Sequence, residues 1–178
     1  MKLFGHLHTI THHRHVVIRH CFKAGIGWQG LFHDLSKYSF SELIPGVRYY
    51  QGTRSPNEAE RENVGYSRAW MHHKGRNRHH FEYWVDYQPS TRRQEPVKMP
   101  LRYVAEMFCD RVAAGKVYQG KAYTDASPLA YFLKGKPARV IHPQTSDFLE
   151  KLLRMLQDEG EEKTFRFLKK MIRERAEY

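Results

Sequence analysis

The stretch Gly30-Leu31-Phe32-His33-Asp34-Leu35-Ser36-Lys37 sets an imidazole beside a carboxylate, three residues ahead of a lysine. Neighbouring side chains on a regular helix point about 100° apart. His33 and Asp34 therefore converge on one centre only if that centre is a cation collecting ligands from several elements. Taken alone the dipeptide reads as a hydrogen-bonded pair at a helix end, because motifs this short recur by chance. The rest of the chain changes that reading. Of the twelve histidines, six fall in the first 20 residues and four form the pairs His72-His73 and His79-His80.

Ile10, Val17, Cys21 and Ala24 share one helical face, and His13 lies on it, four residues before Val17. His6 and His20 lie seven to either side. The geometry prefers His13 as a buried ligand, with His20 second; the alternative is a core histidine bonded to a carbonyl. In Met71-His72-His73-Lys74-Gly75-Arg76-Asn77-Arg78-His79-His80, Gly75 reads as a helix stop and Asn77 as the cap of a second short helix. Both histidine pairs would then flank one cationic turn, and the plainer reading is an exposed basic turn. From Pro100 to Ala114 a helix is indicated, with Tyr103, Met107, Asp110 and Ala114 on one stripe. An unpaired buried carboxylate is costly, so Asp110 should meet an arginine or a metal. Arg111 points about 100° away from it, and Glu106 is a possible second acid.

These residues need helices to carry them. A helix is expected over residues 10–24, broken at Gly25-Ile26-Gly27. Ser39-Phe40-Ser41-Glu42 has the form of a capping box and opens a helix to about Tyr50. Ser55-Pro56-Asn57-Glu58 opens another through Trp70 toward His73. Residues 86–97 and 115–126 read as loops, and Ser127-Pro128 begins a short helix. Phe148, Leu149, Leu152, Leu153 and Leu156 mark a helix that Gly160 ends; Phe165, Leu168 and Ile172 mark the last one. This C-terminal pair, residues 145–178, reads as a structural buttress.

The 178 residues suit one domain, 1–178, with an all-α fold. No apolar run approaches the 18 residues of a membrane span and the start lacks the apolar core of a signal peptide; a cytoplasmic location and no membrane partner are expected. Cys21 and Cys109 have no CxxC spacing and read as reduced core residues. Thirty Lys and Arg against nineteen Asp and Glu give +11, a field that attracts phosphates from nucleotides to nucleic acid. No GxGxxG or GxxxxGK[ST] phosphate loop is present.

The ordered set is His13, His33-Asp34, His72/His73, His79/His80 and Asp110. It resembles the HD-domain superfamily of metal-dependent phosphohydrolases, whose pattern is a histidine on one helix, an adjacent His-Asp on the next, optional further histidines and a later aspartate. The blocks GLFHDLSKYS, GYSRAWMHHKGRNRHHFEYW and MPLRYVAEMFCDRVAAGKVYQGKAYTD are similar to an uncharacterised bacterial family of small HD-like proteins. Some members of that family bear the label catalase, for which no haem-ligand pattern occurs here. The resemblance implies an HD-like helical bundle with a metal site in its core, spanning residues 13–110. It implies that His13, His33, Asp34 and Asp110 hold one ion, and that histidines of the two pairs hold a second or contact the substrate. His73 and His80 are favoured, with His72 close behind, since each pair must present a member to the same side of the turn.

Mixed imidazole and carboxylate donors suit one or two ions of Mn, Fe, Ni or Zn. Such ions bring the pKa of bound water to about 7, so the expected activity is hydrolysis of a nucleotide or other phosphoester by metal-bound hydroxide. Asp34 and Lys37 would be catalytic, and Lys37, Lys74, Arg76 and Arg78 would bind the phosphate of the substrate. Two other readings use the same residues. One is a basic helical protein that binds nucleic acid or a partner around a structural metal, with Tyr49, Tyr50, Tyr66, Trp70, Tyr83 and Trp84 interleaving its cations. The other is an HD-fold iron oxygenase.

Overall fold

The first helix, α1, spans Lys2–Ala24 and buries His6, Ile10, His13, Val17, His20, Cys21 and Ala24 along one stripe. Steps of three and four residues keep that stripe on one face of a 3.6-residue helix, so the histidines and the apolar residues go inward together. The structure is a computed structural model and describes residues 2–178. A single turn, α2 (Gly27–Gly30), folds back against α1. Gly30 permits this approach: a Cβ there would stand 2.4 Å from that of Cys21. The remaining helices are α3 (Phe40–Arg48), α4 (Pro56–Val64), α5 (Arg68–Arg76), α6 (Leu101–Gln119), α7 (Ser127–Gly135) and α8 (Pro143–Glu174), the last broken at Gly160 with φ 81° and ψ 172°.

Helix α6 is buried at Val104, Ala105, Met107, Phe108, Cys109, Val112 and Ala113 and packs against both α1 and α8. The inward faces of α6, α7 and α8 meet in one apolar cluster around Phe108, Phe132, Leu149, Leu152, Leu153, Leu156 and Leu168. Each such side chain contributes about 1.5–3 kcal/mol through burial. The polar stripe of α1 lies beside this cluster, so the histidines are set against rigid walls. Both cysteines are buried and free. Among the described residues, no helix is long and apolar enough to cross a membrane.

The chain is mostly helical, as expected, with differences that have local causes. Residues expected to form a loop pair as an antiparallel hairpin, β1 (Val85–Gln88) with β2 (Arg93–Pro96), Val85 opposite Pro96. Helix α1 begins eight residues earlier than its apolar pattern, and α6 continues past Ala114 to Gln119. The helix expected from Pro56 to His73 is two helices, because Gly65 takes a left-handed φ of 82° that closes α4. Helix α5 then starts afresh on Ser67, whose hydroxyl accepts from the Trp70 N–H at 3.0 Å. It runs through Gly75 and stops at Asn77, whose side-chain amide donates to the His73 carbonyl at 2.8 Å. The capping box at Ser39 is not made: the Ser39 hydroxyl is unpartnered, and the Glu42 carboxylate turns inward to two histidines instead.

Candidate metal centre

Asp34 and His33 are each 1% exposed, on the tight turn between α2 and the 3-10 turn Leu35–Tyr38. Asp34 adopts a left-handed conformation, φ 54° and ψ 24°, which costs a non-glycine residue about 1–2 kcal/mol. That backbone removes the obstacle posed by helical geometry, since the two side chains no longer diverge as they would on a regular helix. Arg14 holds the turn by donating to the carbonyls of Leu31 and His33.

The two carboxylate oxygens of Asp34 face different neighbours. Oδ2 lies 3.2 Å from His33 Nε2, 4.0 Å from His13 Nε2 and 2.6 Å from Lys37 Nζ. Oδ1 lies 3.3 Å from His73 Nε2 and 3.5 Å from His79 Nε2. From α6, Asp110 Oδ1 approaches His13 Nε2 at 3.0 Å and His33 Nε2 at 3.6 Å. Donor atoms of His13, His33, Asp34 and Asp110 all lie within 4.8 Å of one another, and so do those of Asp34, His73, His79 and His80. Both groups are able to hold a metal ion, and Asp34 belongs to each.

The donors fit such an ion on another count. His33 Nε2, Asp34 Oδ1, His79 Nε2 and His80 Nε2 are buried without a hydrogen-bond partner. Leaving a buried polar atom unsatisfied costs about 1–3 kcal/mol. Four such atoms crowd one spot, close together yet misaligned for hydrogen bonds, as ligands aimed at a shared point would be.

Two further carboxylates fix the rings. Glu106 Oε1 accepts from His33 Nδ1 at 2.9 Å and lies 3.3 Å from His79 Nδ1. Glu42 accepts from His73 Nδ1 at 2.7 Å through Oε2 and from His72 Nδ1 at 2.7 Å through Oε1. A carboxylate on Nδ1 sets the tautomer in which Nε2 offers its lone pair, the usual outer support of a metal-bound histidine. Burial raises the Glu106 pKa, but the bonds from His33 and His79 prevail and bring it to about 2. Burial likewise opposes ionisation of Asp34; the charges of His33, Lys37 and His73 override it and hold the carboxyl well below its ordinary range. Burial, helped by His79, drives His80 well below the ordinary histidine value, so its ring is neutral, the form that binds metals.

Six of the seven candidate ligands therefore come together: His13, His33, Asp34, His73, His80 and Asp110. His72 stands apart. It is half-buried, spends its Nδ1 on Glu42 and belongs to neither group. His79 takes the place expected for it. His20, the second choice on α1, bonds instead to the Cys109 carbonyl and to Glu161. Lys37 and Lys74 line a cavity of about 1100 Å³ that opens onto Asp34 and Asp110. Arg76 and Arg78 lie exposed outside it, and Arg78 donates to the Tyr103 hydroxyl at 3.2 Å.

Fold and site together define a mostly helical protein with a buried histidine and carboxylate cluster able to hold metal. Residues 2–155 match the model of a family of unknown function, DUF5662, and the chain belongs to that family. No curated protein and no solved structure matches it.

Proposed function

We propose that this chain is a metal-dependent phosphohydrolase of HD-like architecture, acting on a nucleotide or other phosphoester. The observation that carries the reading is Asp34, whose two oxygens face two separate histidine groups at the wall of a cavity large enough for a small substrate. Mn, Fe, Ni or Zn bound there would supply a Lewis acid and a water of lowered pKa. His13, His33, Asp34 and Asp110 would hold one ion; Asp34, His73, His79 and His80 would hold the other.

The chain's own groups have distinct tasks. Lys37 is kept protonated: burial opposes its charge, but Asp34 and Asp110 raise its pKa well above the ordinary lysine value. A fixed ammonium beside the metal ligands binds a phosphoryl oxygen and offsets charge gathering on it in the transition state. Lys74 adds a second cation on the cavity wall. Glu42 and Glu106 orient the ligand rings.

The test is phosphate release from a panel of nucleotides and phosphomonoesters. The chelator-stripped protein would be assayed before and after reconstitution with each of the four metals, with Asp34→Asn alongside. Release that needs metal and is lost in the variant supports the reading. No metal-dependent release from any substrate contradicts it.

A further inference from the structure

Asp110 and Arg111 are consecutive on α6 but serve different walls of the cavity. Asp110 reaches α1, 3.0 Å from His13. Arg111, about 100° round the helix, reaches α7, its guanidinium carbon 5.9 Å from the centre of the Phe132 ring. Arg139, just beyond α7, approaches the same ring at 5.0 Å. Both arginines line the cavity that holds the metal centre.

Neither guanidinium has a carboxylate within 4.0 Å among the described residues, unlike Arg54, Arg154 and Arg166, which pair with Glu62, Glu150 and Glu162. Arg139 is fixed in place by donating to the Phe132 carbonyl at 2.5 Å and the Tyr131 carbonyl at 3.5 Å. Arg111 Nε is buried with no partner, and so is Glu82 Oε2 on the same cavity wall. Both side chains are half-buried; a cation withdrawn from water without a direct ion pair is costly, and two that share one aromatic ring repel each other. Arg111 thus presents a planar fork of donors with nothing to grip, the form that binds phosphate or carboxylate in bidentate fashion.

We infer that Arg111 and Arg139 form an oxyanion subsite beside the metal centre, so the substrate is a phosphoester carrying a second phosphate or carboxylate group. The scissile phosphate would lie toward Asp34 and Lys37, and the second anion would lie between the two guanidiniums. Glu82 limits the local charge to one net positive and offers an acceptor to a hydroxyl or amine next to that anion. Substrates with a single anionic end leave the arginines unpaired and are poor ones. The inference rests on the phosphohydrolase reading for the reaction, and its test uses metal-free protein so that the two stand or fall separately.

The experiment is calorimetric titration of inorganic phosphate, and in parallel malonate, into the chelator-stripped full chain, Arg111→Gln, Arg139→Gln and Asp34→Asn. Loss of one charge-assisted pair weakens binding about ten-fold or more. The expected result is one phosphate or malonate per chain, weakened to that degree in both arginine variants and little changed in Asp34→Asn. The tighter of the two probes identifies the group. Arg111→Lys, which keeps the charge and loses the fork, should fall between wild type and Arg111→Gln. If Arg111→Gln melts early, Arg139→Gln, a change at a residue just beyond α7, decides alone. Absence of binding, equal binding in all variants, or a loss confined to Asp34→Asn overturns the inference. Arginine-dependent binding in a protein that releases no phosphate under any metal would keep the subsite and remove the hydrolase.

Discussion

Glu106 bonds two imidazoles at once, those of His33 and His79, and so ties one candidate ligand group to the other. Glu106→Gln removes the acceptor that sets both rings, and outer-shell losses of this kind lower metal affinity about 10–100-fold. Competition with a coloured chelator measures that affinity, and an unchanged value would show that Glu106 does not orient the rings. The sequence reveals His13 and Asp110 because each interrupts an apolar stripe, and His33-Asp34 because an imidazole and a carboxylate stand side by side; the resemblance to HD-domain proteins joins the four. Glu42 carries no such mark, Glu106 stands out only as an acid one turn before Asp110, and His79 only as one member of a pair. Glu42 meets His73 across 31 residues and Glu106 meets His33 across 73, and Glu42 also fits a local capping pattern that accounts for it without any site. The rule that each pair offers one member to the same side favours His73 and His80 with His72 close behind, yet His79 and His80 both join the group. Within α5, His72 instead points round to the free oxygen of Glu42.

Helix α5 delivers His73, and its start depends on Ser67, which caps the Trp70 N–H and also bonds Glu60. Ser67→Ala should cost about 1 kcal/mol of stability, read as a lower urea midpoint, and should weaken metal binding in parallel because His73 is no longer held. An unchanged midpoint would contradict the capping role. The break before α5 is hard to read in advance, since the helical period survives on either side of Gly65 and only the backbone sign at that glycine ends α4. The hairpin is hidden for a different reason. Half of its strand residues are exposed and none is buried, so no apolar alternation marks the strands. At the other end of the molecule Glu161, one residue past the kink at Gly160, joins three helices: it lies 3.1 Å from His20 on α1 and 2.8 Å from Lys116 on α6. The close approach of His20 is the chief cause of its pKa of about 2, against an ordinary 4.5. A folded-state pKa below the unfolded one gives stability that is complete above about pH 4.5 and lost as pH falls through 2. Glu161→Gln should therefore lower stability at neutral pH by on the order of 1 kcal/mol after solvent screening. The gap to wild type should close between those two pH values; a gap independent of pH would refute the ion-pair account.

Over the whole molecule the +11 charge and the cavity act together, because a basic field concentrates anions of either kind near a site with fixed cations. Small-anion binding to the arginine subsite should weaken gently with salt. Nucleic acid bound to the basic surface would weaken steeply, with a slope that counts phosphates, so a salt titration separates the two uses of the same charge. The helical composition and the inward placement of most ligands were legible because they rest on periodicity and charge. That Asp34 serves both ligand groups was not, because it depends on which of its oxygens each histidine faces. The most direct test of the central claim is elemental analysis by plasma mass spectrometry of the tag-free protein beside Asp34→Asn, both after reconstitution and dialysis. The account predicts about one or two equivalents of Mn, Fe, Ni or Zn in the wild type, lost in the variant. Equal metal in both proteins, or none in either, would contradict it.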